Sequence, residues 1–329
     1  MKRALKLFAI LLVCIVAICG YSFLTDKTDY TKWVITKESN DSSEISWTKF
    51  IWSSDTISGK YYEKTSMQIP CKIEGLPYNF TFQFDLGAPL TGFYEYNLSS
   101  FYEINSDLKN RISRLRSPLQ FWYNKKGFKD LTIEFGNYKI ANRISYFYND
   151  YGEKLNIDKT SLNDTFHIGT IGADIFQNKV LIIDYPNQRF AICDTIPSIY
   201  QGYLSNMELT NAGMAILSYN SKGGNYKITF DNGSSLFPII TRTINRPKFS
   251  KNPIIDSLNI SSWGEKHIVD SRLITDSFEL AGKTYCNVKV YENHTDKGID
   301  INTDGMAGNY LFWNNTIIID YKNKKFGVK

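Results

Sequence analysis

From Tyr61 onward, short runs of alternating apolar and polar residues are separated by Gly, Asn and Pro. Ser66-Met67-Gln68-Ile69-Pro70 and Asn79-Phe80-Thr81-Phe82-Gln83-Phe84 are of this kind, with the period-two spacing of β-strands. The pattern predicts an all-β body from about residue 59 to the end of the chain. Residues 25–58 differ: they are rich in Ser, Thr, Asp and Lys, with Trp33, Trp47 and Trp52 interspersed, and read as a stalk with some pieces packed on the body. Residues 1–24 differ again. Lys2, Arg3 and Lys6 precede an uncharged apolar run from Leu7 to Leu24, which predicts an N-terminal apolar helix, either a signal peptide or a membrane anchor. Ile18 interrupts the small-residue pattern that cleavage near Cys19 and Gly20 would need, so the reading leans towards an uncleaved anchor. In either case the positive start places the remainder outside the cytoplasm, at the cell surface, in the periplasm or secreted.

The body repeats itself once. The strand-like run ending Phe84-Asp85-Leu86-Gly87-Ala88-Pro89 has a partner in Ile228-Thr229-Phe230-Asp231-Asn232-Gly233-Ser234-Ser235. Thr170-Ile171-Gly172 leads to Leu181-Ile182-Ile183-Asp184-Tyr185, and Met306-Ala307-Gly308 leads to Ile317-Ile318-Ile319-Asp320-Tyr321. The interval from Gly to Asp is 12 residues in both copies. Ile133-Glu134-Phe135-Gly136 likewise resembles Phe278-Glu279-Leu280-Ala281-Gly282. Asp85 precedes Gly172 by 87 residues and Asp231 precedes Gly308 by 77. Motif pairs in matching order at matching intervals mark a duplication, with one lobe over 59–198 and another over 205–329.

Composition narrows the function classes without choosing among them. The chain has 329 residues, 43% apolar and 22% charged, enough for a sizeable core; 22 Tyr and 21 Phe lean towards strands. The net charge of +5 is spread out, with no basic stripe of the kind a nucleic-acid surface needs, so no nucleic acid is expected as a partner. Of five cysteines, Cys14 and Cys19 fall in the apolar segment; Cys71, Cys193 and Cys286 are widely spaced and read as buried free thiols, with one disulfide left open. His167, His267 and His294 are far apart and fit neither a metal trio nor a Ser-His-Asp arrangement, so no metal or other cofactor is expected.

The candidate chemistry comes from the doubled Asp-x-Gly. A carboxylate at a tight turn beside glycine lets backbone amides approach its oxygens. One such turn is commonplace. Two at equivalent places in duplicated lobes are brought face to face by a pseudo-twofold axis. Asp231-Asn232-Gly233-Ser234-Ser235 resembles the Asp-Thr-Gly-Ser-Ser signature of pepsin-like aspartic proteases, and Asp85-Leu86-Gly87-Ala88 is similar to the Asp-Thr-Gly-Ala of retroviral-type members. Thr170-Ile171-Gly172 and Met306-Ala307-Gly308 stand where that family has an apolar-apolar-Gly motif behind each Asp loop. The resemblance covers about residues 59–329.

The resemblance implies the two-lobed acid-protease fold and an aspartic endopeptidase with Asp85 and Asp231 as catalytic dyad. Gly87, Ala88, Gly233, Ser234, Gly172 and Gly308 would support the pair. It implies an extended peptide or protein substrate in the cleft between the lobes; a monomer is expected, and the apolar N-terminal segment, if retained as an anchor, would hold it at the membrane. It also implies a flap over the cleft, for which Leu119-Gln120-Phe121-Trp122-Tyr123-Asn124-Lys125-Lys126-Gly127 is the candidate. Two positions depart from the pattern. Where the family has Thr after each Asp, bonding across the lobes, this chain has Leu86 and Asn232; Leu86 cannot make such a bond and Asn232 can. An inert binding or envelope protein on the same scaffold is therefore the alternative. Asp184 and Asp320, at the ends of apolar runs, are expected to serve turns.

Overall fold

A computed structural model describes residues 33–37, 45–114, 126–157, 161–295 and 298–329. The N-terminal apolar segment and most of the expected flap tip lie outside these residues. Among the described residues no helix is long and apolar enough to cross a membrane.

Each lobe is built on a sheet with the same internal plan. In the N-lobe, Asn79–Phe84 delivers Asp85 and runs parallel to Thr165–Ile171, which delivers Gly172. In the C-lobe, Gly224–Asp231 runs parallel to Gly305–Gly308. Each Gly-bearing strand then pairs antiparallel with a short strand, Gly92–Tyr94 or Ile239–Arg242. That short strand pairs parallel with Tyr138–Tyr148 or Val288–Asn293. The local sequence accounts for the placement. Phe80, Phe82 and Phe84 alternate onto one face and have no exposed surface, each burial contributing roughly 2–3 kcal/mol. This is a two-lobed, mostly β fold in which both lobes share one plan, as the repeat in the sequence predicts.

The lobes are joined by a third sheet. Val180–Asp184 pairs antiparallel with Thr316–Asp320, so the two equivalent apolar runs meet across the twofold, Ile182 opposite Ile318. Both strands are almost entirely buried, as an all-apolar run requires of a strand covered on both faces. Asp184 and Asp320 serve turns, as expected: Asp184 accepts from Asn187 and Arg189, and Asp320 from Asn323. Gln188 and Lys324, four residues after each Asp, both take positive φ, so the two copies use one turn.

The 25–58 span holds more of the body than a stalk would. Trp33–Lys37 pairs with Tyr138–Tyr148, Thr48–Lys49 with Arg189–Cys193, and Ile51–Ile57 with Lys60–Ile73. Trp33 Nε1 donates to Asp174 Oδ2 at 2.8 Å, and the Phe50 and Trp52 rings pack on Tyr185. The indoles that punctuate this polar segment are its attachment points. Among the described residues Cys71, Cys193 and Cys286 form no disulfide; only Cys71 is fully buried, and Cys286 is exposed, against the expectation that all three are buried.

Candidate active site

Asp85 and Asp231 sit at the ends of their parallel strand pairs and meet at the floor of the inter-lobe cleft. Asp85 N donates to Ile171 O at 2.9 Å, which ties the first loop to its Gly-bearing strand. The loop then closes on its own carboxylate: Gly87 N and Ala88 N donate to Asp85 Oδ1 at 2.9 and 3.0 Å. In the second loop Gly233 N donates to Asp231 Oδ1 at 2.7 Å, and Ser234 N to Asp231 O at 3.3 Å. Gly87 N also donates across the lobes to Asp231 Oδ1 at 3.0 Å. One amide thus contacts both carboxylates.

The glycines are required by this meeting. A Cβ on Gly87 would overlap the Asp231 carboxylate, and one on Gly233 would overlap that of Asp85. Gly172 and Gly308 do the same work one layer below. A Cβ on Gly172 would strike Ala88 O, and one on Gly308 would strike Ser234 O. The residues after them complete equivalent bonds, Ala173 N to Ala88 O at 3.3 Å and Asn309 N to Ser234 O at 3.0 Å. All eight residues expected from the sequence therefore come together.

Electrostatics follow from burial. Desolvation, then the negative charge and hydrogen bond of Asp231, hold the Asp85 carboxyl well above the usual range. Desolvation also raises Asp231, opposed by its bonds from Gly233, Asp85, Gly87 and Ser234. Two buried carboxylates in contact cannot both ionise cheaply, so the pair retains one proton where isolated carboxylates would hold none. Among the described residues no group of three or more His, Cys, Asp or Glu is placed to hold a metal.

Asn232 makes the cross-lobe bond that Leu86 cannot: Leu86 N donates to Asn232 Oδ1 at 2.5 Å. The brace runs one way, from an N-lobe amide to a C-lobe side chain.

Above the dyad lies a cleft of about 1150 Å³, lined by both lobes. Its C-lobe wall includes Leu236, Phe237, Ile240, Ile299 and Met306. It is spanned by a hairpin of the C-lobe, Asp256–Ser262 paired with Glu265–Ile274. The tip, Trp263, packs against the N-lobe rings of Tyr94, Tyr148 and Tyr151, with centroids 6.3, 5.1 and 5.5 Å away. Asn259 N donates to Ser58 Oγ of the N-lobe hairpin at 3.0 Å. The matching hairpin of the N-lobe is Ile112–Arg114 paired with Lys126–Phe135. Of the expected flap segment, residues 119–125 lie outside the described residues, and Lys126 and Gly127 open the strand Lys126–Phe135.

Sequence reasoning missed the C-lobe hairpin as a cover and missed Asn309. The clue to Asn309 was available, since the residue after the motif glycine is Ala173 in one copy and Asn309 in the other.

No protein-family model matches the chain, and no curated protein matches it in sequence. Among solved structures it is similar to the crystal structure of the aspartic proteinase from Irpex lacteus, at 10% identity and a TM-score of 0.45. The match covers 86% of this chain and 96% of that one.

Proposed function

We propose that the chain is an aspartic endopeptidase that hydrolyses peptide bonds with a water activated by Asp85 and Asp231. The observation that carries this reading is the Gly87 amide shared by two buried carboxylates, one from each lobe, on the floor of a cleft of about 1150 Å³ lined by both lobes. The ionised member of the pair takes a proton from water as the oxygen attacks the scissile carbonyl carbon; the protonated member donates to the carbonyl oxygen. Collapse of the resulting diol returns a proton to the leaving nitrogen and breaks the C–N bond. The chain's own residues supply both proton positions, and no step calls for a cofactor. The apolar run over residues 7–24 supports a setting outside the cytoplasm, with the body tethered or released there.

The test is cleavage of a diverse peptide library by the full-length chain between pH 3 and 7, beside Asp85→Asn and Asp231→Asn. Cleavage by the parent, lost by at least ~1000-fold in both variants, is the expected result. A second reading, an inert peptide-binding scaffold, is favoured by Leu86, which leaves half of the cross-lobe brace unmade. Folded parent protein that binds library peptides and cleaves none at any pH would establish that reading instead.

A further inference from the structure

The lobes are tied beneath the dyad by a second connection that the repeat does not predict. Asn309 is fully buried, and its side-chain amide donates to Asn232 O at 2.5 Å and to Ser235 Oγ at 3.1 Å. It also lies 3.3 Å from Met67 Sδ. Its own oxygen accepts from the hydroxyl of Tyr185. Tyr185 belongs to the N-lobe and Asn309 to the C-lobe, so a hydrogen-bonded path runs from Tyr185 through Asn309 to the backbone of Asn232. The side chain of Asn232 then returns to the N-lobe at Leu86 N.

The twofold-related positions show that this path is one-sided. Tyr321 is the counterpart of Tyr185 and is also buried, yet its hydroxyl has no hydrogen-bond partner among the described residues. The counterpart of Asn309 is Ala173, which has no side-chain donor or acceptor. The counterpart of Asn232 is Leu86. Both asparagines of the unit, Asn232 and Asn309, therefore belong to the C-lobe, opposite Leu86 and Ala173, and the N-lobe contributes only the Tyr185 hydroxyl. A buried amide that donates to two acceptors and accepts from a buried phenol at once is costly to misplace, because each broken bond leaves a desolvated polar atom.

We propose that Tyr185 and Asn309 form a positioning unit that holds the Asp231 loop in register with the Asp85 loop, in place of the half-brace that Leu86 cannot make. This rests on the dyad reading above. Neither residue touches a substrate; both act through the backbone of Asn232, next to Asp231.

The test uses Tyr185→Phe, which removes one oxygen and keeps the ring on Phe50 and Trp52, and Asn309→Ala, which removes the relay. Carboxyl titrations of the dyad by NMR with labelled aspartate, assigned with Asp85→Asn and Asp231→Asn, report the coupling without any need for cleavage. In each variant of the full chain the two apparent pKa values of the pair are expected to approach one another by about 1 unit. On any cleaved peptide, kcat is expected to fall on the order of tenfold with KM little changed. The double variant should be no worse than Asn309→Ala alone, since the two residues act in series. A lower unfolding midpoint with the pKa separation intact would mean a structural role only and would overturn the proposal. A parent that cleaves nothing, but whose coupled titration narrows in the variants, would overturn the protease reading and leave the positioning unit standing.

Discussion

At Gly87 a single hydrogen atom decides whether two lobes can share a site. The amide of this residue reaches both carboxylates, and its missing side chain leaves room for Asp231. The obstacle to a larger residue is a charged group locked by its own hydrogen bonds, so it cannot swing aside cheaply. Gly87→Ala is expected to force the carboxylates apart, lowering kcat/KM by at least ~100-fold. Overpacking of this kind destabilises the fold by only about 1–3 kcal/mol. Peptide kinetics beside urea unfolding would separate the two effects, and a variant that keeps full activity would show that the amide contact is dispensable.

The hairpin Asp256–Ser262/Glu265–Ile274 shows how an element is held by what it touches rather than by its turn. Trp263 and Gly264 form the two-residue tip, both at positive φ, 51° and 78°. Such tips favour Asn or Gly, and a bulky residue there carries strain of about 1–2 kcal/mol. Docking on Tyr94, Tyr148 and Tyr151 offsets it, at roughly 0.5–1.5 kcal/mol for each aromatic contact. Docking is therefore the larger effect. Trp263→Asn supplies a better turn residue and removes the dock, so amide exchange over residues 258–268 is expected to become faster. Slower exchange would mean that the turn, not the contact across the cleft, governs the hairpin.

At the scale of the whole molecule, both lobes hang on one shared sheet, and the N-terminal strand is pinned to the layer behind the dyad. The pin is Asp174, which accepts from Thr91 and Trp33 while almost fully buried. Burial, opposed by those bonds, raises its carboxyl from 3.8 to about 6. Folded Asp174 then binds a proton more tightly than in the unfolded chain, so its contribution to stability is fully present below pH 4 and is lost as pH rises from there to about 6. The loss is on the order of 3 kcal/mol. Asp85 and Asp231, also raised, add to the same trend. Urea midpoints measured from pH 4 to 7 should decline in the parent and decline less in Asp174→Asn; equal slopes would remove Asp174 from the account.

The duplication, the strand that ends at each Asp and the glycine behind each loop were legible in the chain because they are local requirements. A carboxylate approached by amides needs Gly87 or Gly233 beside it, and a strand crossing behind the loop needs Gly172 or Gly308, wherever the lobes come to rest. The same holds for Asp184 and Asp320, whose turn partners lie three residues away. What the tertiary structure alone decided is what crosses from one lobe to the other. Tyr185 and Asn309 are 124 residues apart, and Leu86 and Asn232 are 146. No periodicity couples such pairs. Their contact depends on how Val180–Asp184 meets Thr316–Asp320, and that register is chosen by the packing of two apolar runs, each of which would accept many partners. Repetition in the sequence thus determined a symmetric scaffold with facing carboxylates, and lobe docking determined the asymmetric parts: the one-way brace, the buried amide beneath it and the C-lobe hairpin resting on N-lobe tyrosines.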